Sequence, residues 1–172
     1  MIETLAVIVF LGAMATAAFT DLTRYEIPNW ISLVIVAAFI AGAAADSAGL
    51  KGFAWHVAMG IAVLAVGFVL FTCHVFGGGD AKLLAAAALW FGPADLARFI
   101  IYVALVGGII GVIILCLRRI PLPPKWHGKP WFHRLYSADQ GMPYGVAIAI
   151  AAGLVYVPLL RFLSLAANGG AS

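Results

Sequence analysis

The chain has 172 residues, of which 65% are hydrophobic and only 10% are charged, and its net charge is +3. Soluble domains carry about 25% charged residues, so this composition and a mean hydropathy of +1.08 exclude a soluble globular protein. They predict an all-α polytopic membrane protein, because the apolar runs are too long for the alternating strands of a membrane barrel. In a membrane protein an excess of basic residues reflects the orientation of the chain in the membrane, so no nucleic-acid partner is expected from the positive charge.

About six apolar segments follow one another along the chain, as transmembrane helices of about 20 residues would. They lie at about residues 4–20, 30–45, 53–74, 81–91, 96–117 and 143–165. The first is preceded by Glu3 and by no Lys or Arg, which favours a retained span over a secretory signal. The fourth is short, and we expect it to cross only partly unless it tilts or the bilayer thins. The whole chain, 1–172, is predicted to form a single membrane domain with one long polar connection at 118–142.

The distribution of basic residues predicts the orientation of these segments. If the N-terminus lies outside, seven of the ten basic residues fall in inside segments: Arg24, Lys82, Arg118, Arg119, Lys125, Lys129 and Arg134. The positive-inside rule therefore favours an outside N-terminus with six spans. In this topology Asp21, after the first span, and Asp80, before the fourth, lie at the same cytoplasmic level.

The stretch Gly77-Gly78-Gly79-Asp80 separates two strongly apolar segments. An acid beside a membrane span is energetically costly, so it marks a candidate functional residue. Glycines have no side chain and allow another group to come close to the backbone. Together with Asp21, Asp80 suggests an aspartyl-type hydrolase in which one acid is neutral and the other ionised. Asp80 at a helix N-terminus is the expected ionised member. The alternative is that both acids are interfacial residues that only cap helices.

Three motifs resemble those of one family, the type IV prepilin peptidases, which are membrane aspartyl proteases. Residues 77–80 resemble its G-x-G-D motif, which presenilin-like proteases also carry. Asp21, followed by Ile27-Pro28-Asn29, resembles its D-x₅-I-P-N motif. Pro143-Tyr144-Gly145 resembles the P-Y-G segment that opens its last span.

The resemblance implies a function as well as a fold. It implies that the chain removes the leader peptide of prepilins at the cytoplasmic face of the bacterial inner membrane, just before the pilin's hydrophobic segment. Its implied catalytic residues are Asp21 and Asp80. Supporting or substrate-binding roles are expected for Gly77, Gly78, Gly79, Lys82, Pro143, Tyr144 and Gly145. The expected partners are a membrane-inserted prepilin and lipid, and neither a cofactor nor a metal is expected.

Larger members of that family begin with a cytoplasmic segment bearing paired C-x-x-C motifs, and they also methylate the new pilin N-terminus. Here the chain begins directly with a predicted span, and it resembles the short form found with Flp/Tad-type pilus systems. N-methyltransferase activity is therefore not predicted. The two cysteines, Cys73 and Cys116, lie in apolar runs and are expected to be buried.

Several alternatives stay open at this point. Lys82 either contacts substrate or extends to the headgroups, and Gly145 either admits substrate backbone or merely opens a helix. The basic, aromatic stretch at 121–134 is either a membrane anchor or a flap over the substrate. A presenilin-like protease, a small ion-coupled transporter or a non-catalytic assembly subunit would also fit two acids in an apolar chain.

Overall fold

The structure, a computed structural model, describes residues 2–45, 49–119 and 142–169. Within these ranges it is all-helical, and its helices agree with the predicted segments to within a few residues. They are α1 (Ile2–Arg24), α2 (Asn29–Ala45), α3 (Gly49–Thr72), α4 (Gly78–Ala88), α5 (Pro93–Arg118) and α6 (Tyr144–Gly169). Most of the predicted 118–142 connection, with its basic aromatic stretch, lies outside the described residues.

Three of these helices are long and apolar enough to cross a membrane: α1, α3 and the Asp95–Arg118 part of α5. Two shorter apolar helices, Asn29–Ala44 and Tyr144–Tyr156, accompany them. This confirms an all-α membrane protein, while the number of crossings stays a prediction. The 11 residues of α4 span about 16 Å, roughly half of a hydrocarbon core of about 30 Å.

The short helix α4 lies in the middle of the molecule and packs against α2, α3 and α6. Seven of its residues are buried, namely Ala81, Leu83, Leu84, Ala85, Ala86, Ala87 and Ala88. Small side chains let transmembrane helices approach closely in lipid, where no hydrophobic effect drives them together. The alanine-rich sequence of α4 therefore suits a central position better than a lipid-facing one.

The ends of two helices are set by residues in the left-handed backbone region. Tyr25, directly after α1, has φ 56° and donates its backbone N–H to the Asp21 carbonyl at 2.9 Å. His74, just after α3, has φ 57°. A residue with left-handed backbone after the last turn ends a helix and lets the last carbonyl groups find hydrogen-bond donors. Residues other than glycine rarely adopt this backbone conformation. Both turns lie at the end of the bundle where α4 begins.

The outer faces of the helices expose many large apolar side chains, as lipid contact requires, including Leu5, Phe19, Leu33, Ile61, Phe68 and Ile109. Cys73 and Cys116 are also exposed, so the expectation of buried cysteines was wrong. Lipid tails are as apolar as a protein core, and an apolar sequence context alone does not distinguish the two surroundings.

Candidate active site

Three helix ends that are far apart in the sequence meet at one end of the bundle. Asp21 lies in the last turn of α1, Asp80 in the first turn of α4 and Gly145 in the first turn of α6. The short connections that follow α1 and precede α4 lie at the same end. The structure thus brings both predicted acids and the P-Y-G segment into one place.

The carboxylate of Asp21 caps the N-terminus of α6. Asp21 is only 5% exposed, and its Oδ2 accepts a hydrogen bond from the Gly145 amide at 2.7 Å. The Val146 amide also interacts with this carboxyl group. The first amides of a helix have no partner within it, and the helix dipole favours negative charge there. Burial disfavours the charged form of Asp21, and these two amides oppose that effect by stabilising the carboxylate.

The carboxyl group of Asp80 turns back on the start of its own helix. Gly77 is the N-cap of α4, so Asp80 is its third helical residue, and its side chain accepts a hydrogen bond from the Gly77 amide. This is the returning half of a capping box. The other oxygen, Oδ1, is buried and has no hydrogen-bond partner among the described residues.

The pKa of Asp80 is raised from its ordinary value of 3.8 to about 7. Burial of the carboxyl group is the larger cause, and the negative charge of Asp21 adds to it; the Gly77 and Gly145 amides oppose the rise. A neutral Asp80 carries its proton most easily on Oδ1, because no hydrogen-bond donor in the described part of the chain contacts that oxygen. The sequence alone favoured Asp80 as the ionised acid, whereas its surroundings favour the neutral form.

Glycines leave the space that these carboxyl groups occupy. A Cβ atom at Gly77 would lie 2.7 Å from Asp80 Oδ2. A Cβ atom at Gly145 would lie 2.8 Å from both Asp21 Oδ2 and the Cδ1 of Ile27, and one at Gly79 would lie 3.2 Å from Ile27 Cβ. Such separations are too short for ordinary carbon contacts, so any larger residue at 77 or 145 must move an acid or its neighbour.

Two cavities, each of about 450 Å³, meet at the acids. Both are lined by Asp21, Tyr25, Gly77 and Asp80. The first, here called the loop-side cavity, is completed by Glu26, Ile27, Pro28, Asn29, Gly78 and Gly79. The second, the α3-side cavity, is completed by Phe71, His74, Val75, Phe76, Met142 and Tyr144. The acids therefore lie between two open spaces rather than at the bottom of one.

The remaining predicted site residues lie near this centre in different surroundings. Pro143 is buried, and the Tyr144 ring packs against Phe76 at 4.6 Å between centroids. Lys82 is exposed, and its Nζ donates a hydrogen bond to Asn29 Oδ1 at 3.1 Å. No group of His, Cys, Asp and Glu in the described part of the chain has the arrangement of a metal site.

Sequence reasoning assigned no role to Ile27, and it expected Gly145 to admit substrate backbone or to open a helix rather than to contact the acids. Ile27 packs under Gly79 and Gly145, and its place in the I-P-N motif was the available signal. The Gly145 amide contacts Asp21 and interacts with Asp80 as well. No sequence pattern shows that a backbone N–H 124 residues away completes the surroundings of Asp21.

The fold and this site define a polytopic helical membrane protein with a pair of acids at one end, of which Asp21 is buried and Asp80 half-buried. Residues 8–112 match the type IV leader peptidase family, and because this is more than half of the chain, the chain belongs to that family. It is therefore a leader-peptidase-like protease, and proteases of this family are of the aspartic type. Searches among curated proteins and among solved structures gave no match. The matched range includes Asp21 and Asp80 and ends before Pro143.

Proposed function

We propose that this chain is an aspartic endopeptidase that removes the leader peptide of type IV prepilins of the Flp/Tad type. The proposed catalytic residues are Asp21 and Asp80, and the proposed site of action is the cytoplasmic face of a bacterial inner membrane. The observation that carries the proposal is the meeting of these two acids, from α1 and α4, around the Gly145 amide in unlike surroundings.

The surroundings suit the two roles that peptide hydrolysis needs. Ionised Asp21 accepts a proton from water while the water oxygen forms a bond to the scissile carbonyl carbon. Neutral Asp80 gives its proton to the carbonyl oxygen, and a tetrahedral diol results. When the C–N bond breaks, Asp21 returns its proton to the leaving nitrogen and Asp80 regains one from the diol hydroxyl. General acid–base help of this kind contributes about 10²–10⁴-fold in rate.

The position of the acids supports cleavage at the membrane boundary. Asp21 and Asp80 lie at helix ends, whereas an ion-coupled transporter places its acids near the midplane, at broken helices. A peptide bond just outside a transmembrane helix is also free of the internal hydrogen bonds that protect bonds within it. The cytoplasmic assignment is supported by the seven basic residues that the sequence places at this level.

The test is co-expression with a prepilin of the same pilus system, followed by the size of the pilin. Asp21→Asn and Asp80→Asn keep side-chain shape and remove the acid, and each should slow processing by at least about 100-fold. Asp95→Asn is the matched control, because Asp95 lies at the opposite end of the bundle, beside Arg98 at 3.4 Å. Wild-type processing by either single dyad variant would refute the catalytic assignment.

A further inference from the structure

A groove runs along the outside of the molecule between α2 and α3. Both helices pack on α4, but they make little contact with each other. At the end away from the acids, Phe39 of α2 stacks on Phe53 of α3 at 5.8 Å between centroids. Nearer the acids, α4 forms the floor of a cavity of about 410 Å³ that is lined by α2 and α3 and open on its outer side.

The lining of this groove changes along its length. Its polar residues are Asn29, Ser32 and Lys82, and all three lie at the end near the acids, within one or two turns of the start of α2 or α4. The rest of the lining is apolar or small: Leu33, Val36, Val57, Gly60, Ile61, Leu64, Ala85, Ala86 and Leu89. A ligand that fits it has an apolar body and a polar end directed toward the acids.

The groove adjoins the candidate active site. Asn29 lines both the groove and the loop-side cavity, and the hydrogen bond from Lys82 to Asn29 lies where the two spaces meet. A chain that lay in the groove and continued past Asn29 would enter the loop-side cavity between Asp21 and Asp80. The second apolar depression, formed on α5 by Ala104, Leu105, Gly108, Ile109, Val112 and Ile113, shares no lining residue with either cavity at the acids.

We propose that the groove between α2 and α3 binds the apolar transmembrane helix of the substrate while the peptide bond before that helix is cleaved. The inference rests on the proposed function, since it concerns how the same substrate is held. The floor residues Ala85 and Ala86 are small, and small residues permit the close approach by which helices associate in lipid. The polar end of the groove then contacts the end of the substrate's transmembrane helix, where the substrate chain leaves the membrane interior.

Groove filling provides the first test. Ile61, in the groove wall, is 62% exposed, and Ile109, in the α5 depression, is 60% exposed, so Ile61→Trp and Ile109→Trp place the same bulk at equally exposed sites. We expect Ile61→Trp to raise the KM for full-length prepilin by about tenfold, the loss expected when one apolar side chain is no longer buried. Ile109→Trp should leave it unchanged. Equal processing by the two variants would overturn the inference.

Photo-cross-linking provides a second test that does not depend on cleavage. A photoreactive amino acid is placed at position 61 or at position 109 of the Asp80→Asn variant, which is co-expressed with prepilin. An adduct with the precursor is expected from position 61 and not from 109. Adducts with lipid alone, or equal adducts from both positions, would contradict substrate binding in the groove.

The two proposals fail in different ways. If the wild-type chain does not shorten prepilin, the proposed function is wrong. If it does, but Ile61→Trp and Ile109→Trp process prepilin equally or position 61 gives no specific adduct with the precursor, only the groove assignment is wrong.

Discussion

At the scale of single residues, the two acids differ in what satisfies their oxygens. Asp21 Oδ2 accepts a 2.7 Å hydrogen bond from the start of α6, whereas Asp80 Oδ1 is buried without a partner among the described residues. Carboxyl groups that interact titrate as a pair. Burial raises the pKa of Asp80 and the negative charge of Asp21 raises it further, so Asp80 holds the proton that the pair shares. From its position at a helix N-terminus alone, Asp80 was expected to be the ionised acid; its surroundings make it the neutral one.

The raised pKa of Asp80 predicts how the stability of the protein depends on pH. Unfolded Asp80 loses its proton near 3.8, and folded Asp80 keeps it until about 7. Between these values the folded state binds more protons, so Asp80 makes the free energy of unfolding decrease as pH rises from about 4 to about 7. Asp80→Asn removes this contribution, and its Tm relative to wild type should therefore increase over the same range.

Thermal unfolding in detergent at pH 4.5 and pH 8 measures the difference. The gain of Asp80→Asn over wild type should be at least about 2 °C larger at pH 8, the shift that about 1 kcal/mol causes in a chain of this size. Asp95→Asn is the control for the loss of an acid elsewhere. A Tm difference between Asp80→Asn and wild type that does not change with pH would contradict a neutral Asp80.

Gly145 sets the position of Asp21, and its replacement should separate catalysis from folding. A Cβ atom there would lie 2.8 Å from Asp21 Oδ2, so Gly145→Ala must displace the carboxyl group or Ile27. Misplacement by about 1 Å can cost about 100-fold in rate, whereas overpacking costs about 1–3 kcal/mol of stability. We therefore expect a large loss of prepilin processing together with a decrease in Tm that leaves the protein folded. Gly153→Ala is the matched control on the same helix, because nothing lies within 4 Å of its added carbon. Equal activities of the two variants would argue against this positioning role.

At the scale of helices, the glycines of α3 and α5 show what a sequence can predict about packing. The sequence indicates that the glycines at 60, 67, 107, 108 and 111 allow close helix approach. Added Cβ atoms would meet a neighbour at four of these positions, but nothing lies within 4 Å of Gly108. A glycine in the sequence predicts that a neighbouring helix can pack closely at that position. Whether a helix does pack there depends on how the helices are arranged.

The contact of α3 with α4 supports the position of Asp80. A Cβ atom at Gly67 would lie 3.1 Å from the Cβ of Ala81, the residue after Asp80. Gly67→Leu should therefore force α3 from α4 and destabilise the protein by about 1–3 kcal/mol, the usual cost of overpacking. Gly108→Leu, in open space on α5, should leave the Tm unchanged. The comparison is made by thermal unfolding in detergent, and similar Tm values for the two variants would contradict the packing role.

At the scale of the whole molecule, the sequence predicted the helices well because long apolar runs have few alternatives in a membrane. It also placed Asp21 and Asp80 at one level, since charge bias and span order suffice for that. It could not show that α4 is central, that the Gly145 amide reaches Asp21, or that a groove lies between α2 and α3. These features depend on which helices are neighbours. Apolar residues face both lipid and other helices, so the sequence does not show which face of a helix packs against which neighbour.

The orientation of the molecule can be tested with its own cysteine. Cys73 is exposed and follows α3 at the end that holds the acids, whereas Lys51 is exposed at the opposite end, in the first turn of α3. Cys116 is also exposed, so the experiment uses a Cys116→Ala variant. If the acids face the cytoplasm, a membrane-impermeant thiol reagent should label its Cys73 in inverted vesicles and not in intact spheroplasts. A Lys51→Cys variant that also carries Cys73→Ala and Cys116→Ala should show the opposite pattern. Labelling of Cys73 from outside would place the acids, and with them any cleavage, on the other face of the membrane.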